Sequence, residues 1–316
     1  MTRVAILDDY QRVALSIADW SILGAGVSVQ PFHERIGGED AVAERLRNFD
    51  VIVAMRERTP FPRTLIERLP ALKLLVTTGR RNAAIDVHAA SVRGIVVSGT
   101  GTLSAPPVEL TWGLILSLAR HIPGESAAMR TGSWQTTIGM GLHGKTLGVV
   151  GLGRLGTDVA KIGQAFGMKV VAWSQNLTRD ATDALGVELL SKESLFQTAD
   201  VVTVHLVLSD RTRGVVGERE LRLMKPTALL INTARGPIID EQALVHALRH
   251  SVIAGAALDV FDEEPLPVNH PLRRLENALL TPHLGYVTNE NYRLAYGEAV
   301  DDIRAFLAGT PVRVIG

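Results

Sequence analysis

Residues 146–166 read TLGVVGLGRLGTDVAKIGQAF, and the organisation of the chain can be worked outward from them. An apolar, β-branched run, Thr146–Val150, meets Gly151, Gly153 and Gly156 and passes directly into a helical pattern carrying Val159 and Ile162. In such a strand–turn–helix unit each glycine answers a physical need. Gly151 permits the tight turn, Gly153 lets the backbone approach a pyrophosphate, and Gly156 lets the helix pack against the strand. The phosphates would sit on the free N–H groups and positive dipole end of the helix. A GxGxxG alone is weak, because any glycine-rich strand–helix turn can produce one. Its position between a good strand and a good helix makes it a dinucleotide site, with Gly151, Gly153, Arg154, Leu155 and Gly156 as candidate cofactor contacts. The carboxylate expected about 20 residues further on is missing. Ser174, followed by Gln175 and Asn176, stands at the tip of the next strand. With no charge there to repel a 2′-phosphate and no cation to reward one, the sequence predicts use of NAD, with NADP also accepted.

The same alternation extends in both directions. Before the glycine loop, strand patterns fall at Val4–Asp8, Val27–Gln30, Val51–Met55, Leu72–Thr77 and Ile95–Val97, with helical runs such as Ala41–Phe49 between them. After it they fall at Lys169–Trp173, Val201–Leu206, Ala228–Asn232, Ile253–Asp259 and Ala278–Thr281, separated by helices such as Asp240–Arg249. Residues 288–307 read as one long helix and Pro311–Ile315 as a closing strand. This is the signature of an α/β chain with doubly wound parallel sheets, and the second set is read as inserted into the first. The run PPVELTWGLILSLARHI, from Pro106, is the most apolar helix. It needs cover around much of its circumference, which predicts a domain boundary or a homodimer interface.

Bulk composition narrows the function. A chain of 316 residues favours two domains over one. Its 33 basic and 33 acidic side chains balance, which argues against a nucleic-acid or anionic-membrane partner. The absence of cysteine removes disulfides, thiolate nucleophiles and cysteine metal sites, and no metal site is expected. Asp8 and Asp9 interrupt the N-terminus before a signal-peptide core could form. No apolar stretch approaches the ~18 residues of a membrane span. The expectation is a cytoplasmic protein acting on a small molecule.

Three further segments end strands of the second set: INTARGPIIDEQAL, GAALDVFDEEPLP and LLTPHLG. They bring Thr233, Arg235, Asp259, Glu264 and His283 to strand ends, where ligands of open α/β sheets bind. Singly, each has a dull explanation: a surface cation, a solvated acidic turn, a structural histidine. Jointly, beside a dinucleotide loop, an arginine, a carboxylate and an imidazole form a working set.

These segments, with LHGKTLGVVGLGRLG, HLVLSDRTRGVV and LMKPTALLINTARGPIIDEQAL, identify the chain as similar to the D-isomer-specific 2-hydroxyacid dehydrogenases. The resemblance covers nearly the whole length and is strongest over 142–285. It implies a Rossmann-type coenzyme domain, 101–284, inserted into a flavodoxin-like substrate domain made of 1–100 and 285–316. It implies reduction of a small 2-oxo acid, or the reverse oxidation of a D-2-hydroxy acid. Arg235 would grip the substrate carboxylate, His283 would be the acid/base, and Glu264 would orient the imidazole and favour its protonated form. Asp259 and Thr233 would help seat the coenzyme. Phosphoglycerate dehydrogenase and glyoxylate or hydroxypyruvate reductase are the nearer relatives it brings to mind, in a short form without a regulatory domain.

The substrate lobe departs from that pattern. After LKLLVTTG the chain continues Arg80, Arg81, Asn82, Ala83, Ala84, where relatives more often carry a second glycine and an Asp-Asn pair. Gly79, Arg80 and Arg56 are the candidate substrate contacts, with Arg58 and Arg81 close by in sequence. The bland reading leaves these arginines as solvated charges. Two rival functions remain: a dinucleotide-sensing, corepressor-like binding protein with little turnover, and a formate dehydrogenase. The latter has Gln where this chain has Glu264.

Overall fold

The computed structural model describes all residues, Met1–Gly316. Every strand pairing is parallel, and the chain divides into two compact units, Met1–Leu103 with Val287–Gly316, and Ser104–Tyr286. No helix is long and apolar enough to cross a membrane.

The first unit carries β1 (Thr2–Ile6), β2 (Val27–Pro31), β3 (Val51–Ala54), β4 (Leu74–Thr77) and β5 (Val96–Gly99), in the order β2-β1-β3-β4-β5. Helices return on both faces, so the central strands are apolar throughout: VIVA and LLVT are buried at every position. The chain runs outward from β1 to β2 and comes back to β3 on the other side of β1. The strand order therefore reverses between β1 and β3, the place where such sheets open a crevice. Leu46, Ile52, Phe61, Leu65 and Ile66 fill the core on one face. The long terminal helix, Asn289–Leu307, buries Tyr292, Tyr296 and Ile303 and packs on β4. The closing strand expected at 311–315 is reduced to one antiparallel bridge, Ser98 to Val314. The reason lies in Arg313, which turns into the left-handed region (φ 51°) and sends its side chain to Asp302 and the Glu298 carbonyl.

The second unit carries β6 (Thr146–Val150), β7 (Lys169–Trp173), β8 (Glu188–Leu189), β9 (Val201–Val204), β10 (Leu229–Asn232), β11 (Gly255–Leu258) and β12 (Ala278–Leu280). Their order is β12-β11-β10-β9-β6-β7-β8, with the reversal between β6 and β9. Strand β8 was not anticipated, because two residues carry no periodicity; pairing with Val171 and Ala172 defines it. Side-chain alternation divides the core: Val149 faces Trp112 and Ile115, while Val150 faces Leu195, Phe196 and Leu230.

Helix Ala105–Ala119 packs on β10, β11 and helix Arg154–Ala165 within this unit. Trp112 stacks on Phe166 at 4.9 Å and donates to the Val159 carbonyl at 3.2 Å. Much of the helix's apolar surface is thus covered by its own unit. The exposed apolar surface lies just beyond it. His121 turns left-handed (φ 52°), and helix Ile122–Arg130 buries none of its residues. Ile122, Met129, Trp134 and Ile138 stand 50, 54, 73 and 96 % exposed.

Candidate active site

At the reversal of the seven-stranded sheet the glycine loop has the geometry its residue types demand. Gly151 has φ 104°, and a Cβ there would strike the His205 carbonyl group at 2.8 Å. Gly156 is tighter: a Cβ would lie 2.0 Å from the Gly151 carbonyl oxygen. Gly153, by contrast, caps helix Arg154–Ala165 and has open space around it, with nothing within 4 Å of a built Cβ. Two glycines let the backbone fold tightly and the third leaves a free cradle at the helix N-terminus. That cradle suits a pyrophosphate, and the residues fit a dinucleotide. Arg154 is exposed and Leu155 half-buried at the rim. Ser174 is half-buried at the end of β7, where its carbonyl accepts from Leu177 N at 3.2 Å. Gln175 reaches across from the same tip to the Arg211 carbonyl at 3.2 Å.

Arg235, Glu264 and His283 follow β10, β11 and β12. The His283 Nδ1–H donates to Glu264 Oε2 at 2.6 Å, and the other Glu264 oxygen accepts from Phe261 N at 3.0 Å. A carboxylate that only accepts fixes the proton of the neutral ring on Nδ1. Nε2 is therefore the nitrogen left to exchange a proton with an outside oxygen. Tyr286 meets the imidazole edge-on at 5.5 Å, so Glu264 and a ring wall together set its orientation. Arg235 is placed by a residue the sequence reading did not single out. Buried Asn232 accepts from Ala234 N at 3.0 Å and donates to the Arg235 carbonyl at 3.0 Å. The signal was available: a polar residue closing the buried strand LLIN.

Asp259, at the end of β11, is held from within the unit. It is wholly buried, and its oxygens accept from Thr281 Oγ1 (2.6 Å), Leu284 N (2.7 Å) and Gly285 N (2.8 Å). Burial pushes its carboxyl above the usual range, while these donors pull it back. Its geometry makes it the clasp of the 281–285 segment that carries His283, itself left-handed at φ 54°. Thr233 is likewise engaged from within. Thr111 donates its proton to the Pro107 carbonyl at 2.7 Å, so Thr233 is the donor in their 2.8 Å contact.

In the five-stranded unit, Gly79 (φ 134°) and Arg56 (φ 52°) form one structure. A Cβ on Gly79 would lie 2.3 Å from Arg56 Nη1, so the guanidinium occupies the space that the missing side chain leaves. Asn82 holds this arrangement by donating to the Arg56 carbonyl (2.6 Å) and Thr77 Oγ1 (2.9 Å). Gly79 N is taken by Thr100 Oγ1 at 3.0 Å. The amides of Arg80 and Arg81 follow it in the turn, and both side chains are exposed.

Comparison with known proteins bears on the same residues. The profile of the D-isomer specific 2-hydroxyacid dehydrogenase NAD-binding domain matches residues 112–285. Glyoxylate reductase of Aeropyrum pernix is 42% identical over 255 residues, covering 78% of this chain and 76% of the relative. D-3-phosphoglycerate dehydrogenase of Methanocaldococcus jannaschii is 39% identical over 275 residues, which is 86% of this chain but 52% of that longer protein. The crystal structure of a phosphoglycerate oxidoreductase from Vibrio cholerae superposes with a TM-score of 0.93 at 36% identity, covering 98% of this chain and 100% of that one. These names favour turnover over a sensing role. A profile match that runs from helix Ala105–Ala119 through the glycine loop to His283, with relatives alike over most of the chain, has one reading: the chain belongs to the D-isomer-specific 2-hydroxyacid dehydrogenases, NAD(P)-dependent oxidoreductases of 2-hydroxy acids.

Proposed function

We propose that this chain works chiefly as a reductase of small 2-oxo acids, with His283 as the acid/base group. The observation that carries the assignment is the 2.6 Å contact of His283 Nδ1 with Glu264, which leaves Nε2 as the working nitrogen. The nicotinamide coenzyme, when bound, supplies or takes the hydride. His283 gives the carbonyl oxygen its proton in reduction and takes it back in oxidation. Glu264 orients the ring and offsets its positive charge. Arg235 pairs with the substrate carboxylate through its planar fork of donors. Asp259 serves by fixing the His283 segment, and Gly151, Gly153, Arg154, Leu155, Gly156, Ser174 and Thr233 line the coenzyme side. In the five-stranded unit we assign substrate contacts to Arg56, Gly79 and Arg80. The test is a steady-state panel of 2-oxo acids with NADH and NADPH. Loss of reduced-coenzyme absorbance with at least one acid is expected. Tight coenzyme binding with no turnover across the panel would return the protein to the sensor reading.

The exposed apolar arm supports a homodimer. Glu125 accepts from Thr136 N and from the hydroxyls of Thr136 and Thr137, folding residues 131–141 back on helix Ile122–Arg130. The side chains so displayed, Trp134 and Ile138 among them, would be costly in water. Light scattering at micromolar concentration should give twice the chain mass, and a monomer would refute the pairing. The reliance on a nicotinamide coenzyme supports a cytoplasmic setting.

A further inference from the structure

The loops that deliver Arg235 and Glu264 meet at one peptide. Gly236, next to Arg235, is buried, and a Cβ there would overlap the Phe261 carbonyl group and lie 2.6 Å from Asp262 N. The loop after β10 therefore rests directly on the peptide that joins Phe261 to Asp262. Both residues of that peptide are tied down. Phe261 N donates to Glu264 Oε1 at 3.0 Å, so a shift of Phe261 reaches the carboxylate that orients His283. Asp262 N donates to Glu241 Oε2 at 3.4 Å. Glu241 opens helix Glu241–Arg249, a short way beyond Arg235. Its other oxygen, Oε1, meets His270 Nε2 at 3.0 Å. His270 Nδ1 accepts from Leu272 N at 3.3 Å, which places the ring proton on Nε2 and makes that nitrogen the donor to Glu241.

An acidic residue in the first turn of a helix ordinarily answers the helix dipole from solvent. Glu241 does more. Its side chain is 21 % exposed and that of His270 17 %, and both Glu241 oxygens are spent on the 262–270 segment rather than on its own helix. The chain from Arg235 to Glu241 and the chain from Phe261 to His270 thus touch twice, at Gly236 and again at Glu241, with the Phe261–Asp262 peptide common to both contacts. Arg273 braces the second of these chains, donating to the Leu266 (2.7 Å) and Pro267 (3.0 Å) carbonyls. Two contacts fix an angle where one would leave a pivot. Catalysis is sensitive to such angles, since a misplacement of about 1 Å at the reacting groups can cost ~10²-fold.

We propose that Glu241 and His270 are positioning residues: they hold the Phe261–Asp262 peptide on Gly236 and so keep Arg235 in register with the Glu264–His283 pair. This rests on the reductase reading above. With the panel acid reduced fastest, Glu241→Ala should lower kcat roughly tenfold and leave the NADH dissociation constant unchanged. In a Glu264→Ala background the same change should cost much less, because the carboxylate it positions is gone. The His270 variants separate positioning from mere capping. A Gln amide nitrogen can stand where Nε2 does, and an Asn oxygen where Nδ1 does. His270→Gln should therefore keep most of kcat, whereas His270→Asn, which retains the cap on Leu272, should lose several-fold. Additive losses in the double variant, or Asn serving as well as Gln, overturn the proposal. If Glu241→Ala does not fold, the His270 pair carries the test alone. A readout without turnover separates this failure from failure of the reductase reading: the NMR resonance of the His283 Nδ1–H proton that Glu264 accepts. It should exchange with water several-fold faster in His270→Asn than in the wild type or His270→Gln. Faster exchange there supports the clasp even if no acid is reduced; equal exchange in all three overturns it.

Discussion

The carboxyl edges of the two sheets prepare for ligands in opposite ways. At the seven-stranded edge, recognition depends on where atoms are forbidden. Gly156 faces a carbonyl oxygen 2.0 Å from any Cβ it might carry, and Gly153 faces nothing. At the five-stranded edge the geometry instead holds long cations: Arg56 over Gly79, its carbonyl bonded by Asn82, and Arg58 over the Tyr10 ring, whose hydroxyl donates to Asp8. An edge built by exclusion tolerates one residue type per position. An edge built by orientation places its demand on hydrogen-bonding side chains such as Asn82 and Asp8.

The sharpest way to break this contrast is at the imidazole. His283→Ala should lower turnover by ~10²–10⁴ while the coenzyme dissociation constant, read by NADH fluorescence, stays put. Arg235→Ala should act similarly through the substrate. A parallel loss of coenzyme binding in either variant would mean that the two halves of the seven-stranded edge are not separable.

Coenzyme choice sharpens it next. Ser174 offers no carboxylate at the tip of β7, so discrimination between NADH and NADPH should be weak. Ser174→Asp adds a charge-assisted hydrogen bond to the ribose worth ~1.5–3 kcal/mol, tenfold or more, and repels the 2′-phosphate. Specificity constants for both coenzymes in both proteins decide this. A native preference beyond about a hundredfold, 2.7 kcal/mol, would place control elsewhere in the pocket.

The two glycine edges can then be set against each other directly. Gly156→Ala drives a methyl into backbone, which has no way to yield, and should cost about 1–3 kcal/mol of stability together with coenzyme affinity. Gly79→Ala meets only the flexible end of Arg56, although φ 134° strains any side chain there. It should raise KM for the oxo acid several-fold and spare coenzyme binding. Equal damage to coenzyme binding from both substitutions would erase the distinction.

The smallest effect belongs to Asp302, wholly buried in the five-stranded unit. One of its oxygens accepts from Arg313 Nε at 2.9 Å and the other finds no partner. Burial pushes its carboxyl up to about 7, with Arg313 opposing and Glu298 and Asp301 adding to the rise. The folded value lies above the unfolded one, so the native state keeps a proton that the unfolded chain releases. This contribution is full below about pH 4 and is lost as pH rises toward 7. Asp302→Asn should flatten the decline in Tm between pH 5 and pH 8, at ~2–4 °C for each kcal/mol. An unchanged slope would acquit the buried acid.

The same contrast explains what could be read from the chain. The strand–glycine–helix unit at 146–166 is legible because every position is tied to a backbone requirement, and the alternation around it yields both sheets. Glu264 and His283 are legible only through segments that resemble relatives; neither residue type is diagnostic alone. Strand β8 is too short to carry a pattern. Val4–Asp8 reads as an unbroken strand, whereas β1 ends at Ile6 and Asp8 turns left-handed. No periodicity encodes that turn, whose carboxylate is bonded to Thr59 in the loop after β3, far away in sequence. The partners of Asp259 were hidden for a related reason: a buried carboxylate reveals its donors only once the 281–285 segment has folded around it.

One feature of the first unit bears on the chain's birth. Its sheet is laid down in residues 1–103, but helix Asn289–Leu307, which buries Tyr292, Tyr296 and Ile303 and lies against β4, is made only after the whole of the inserted unit. At ~5–20 residues per second, the opening five strands wait beyond the ribosome for roughly ten seconds or more with one apolar face uncovered. The intervening residues Ser104–Tyr286 form a compact unit whose sequence is complete before that helix is made. Synthesis therefore favours maturation from the inside outward: the inserted unit first, the discontinuous unit around it afterwards. Until the terminal helix arrives, β4 is the surface that a chaperone would find.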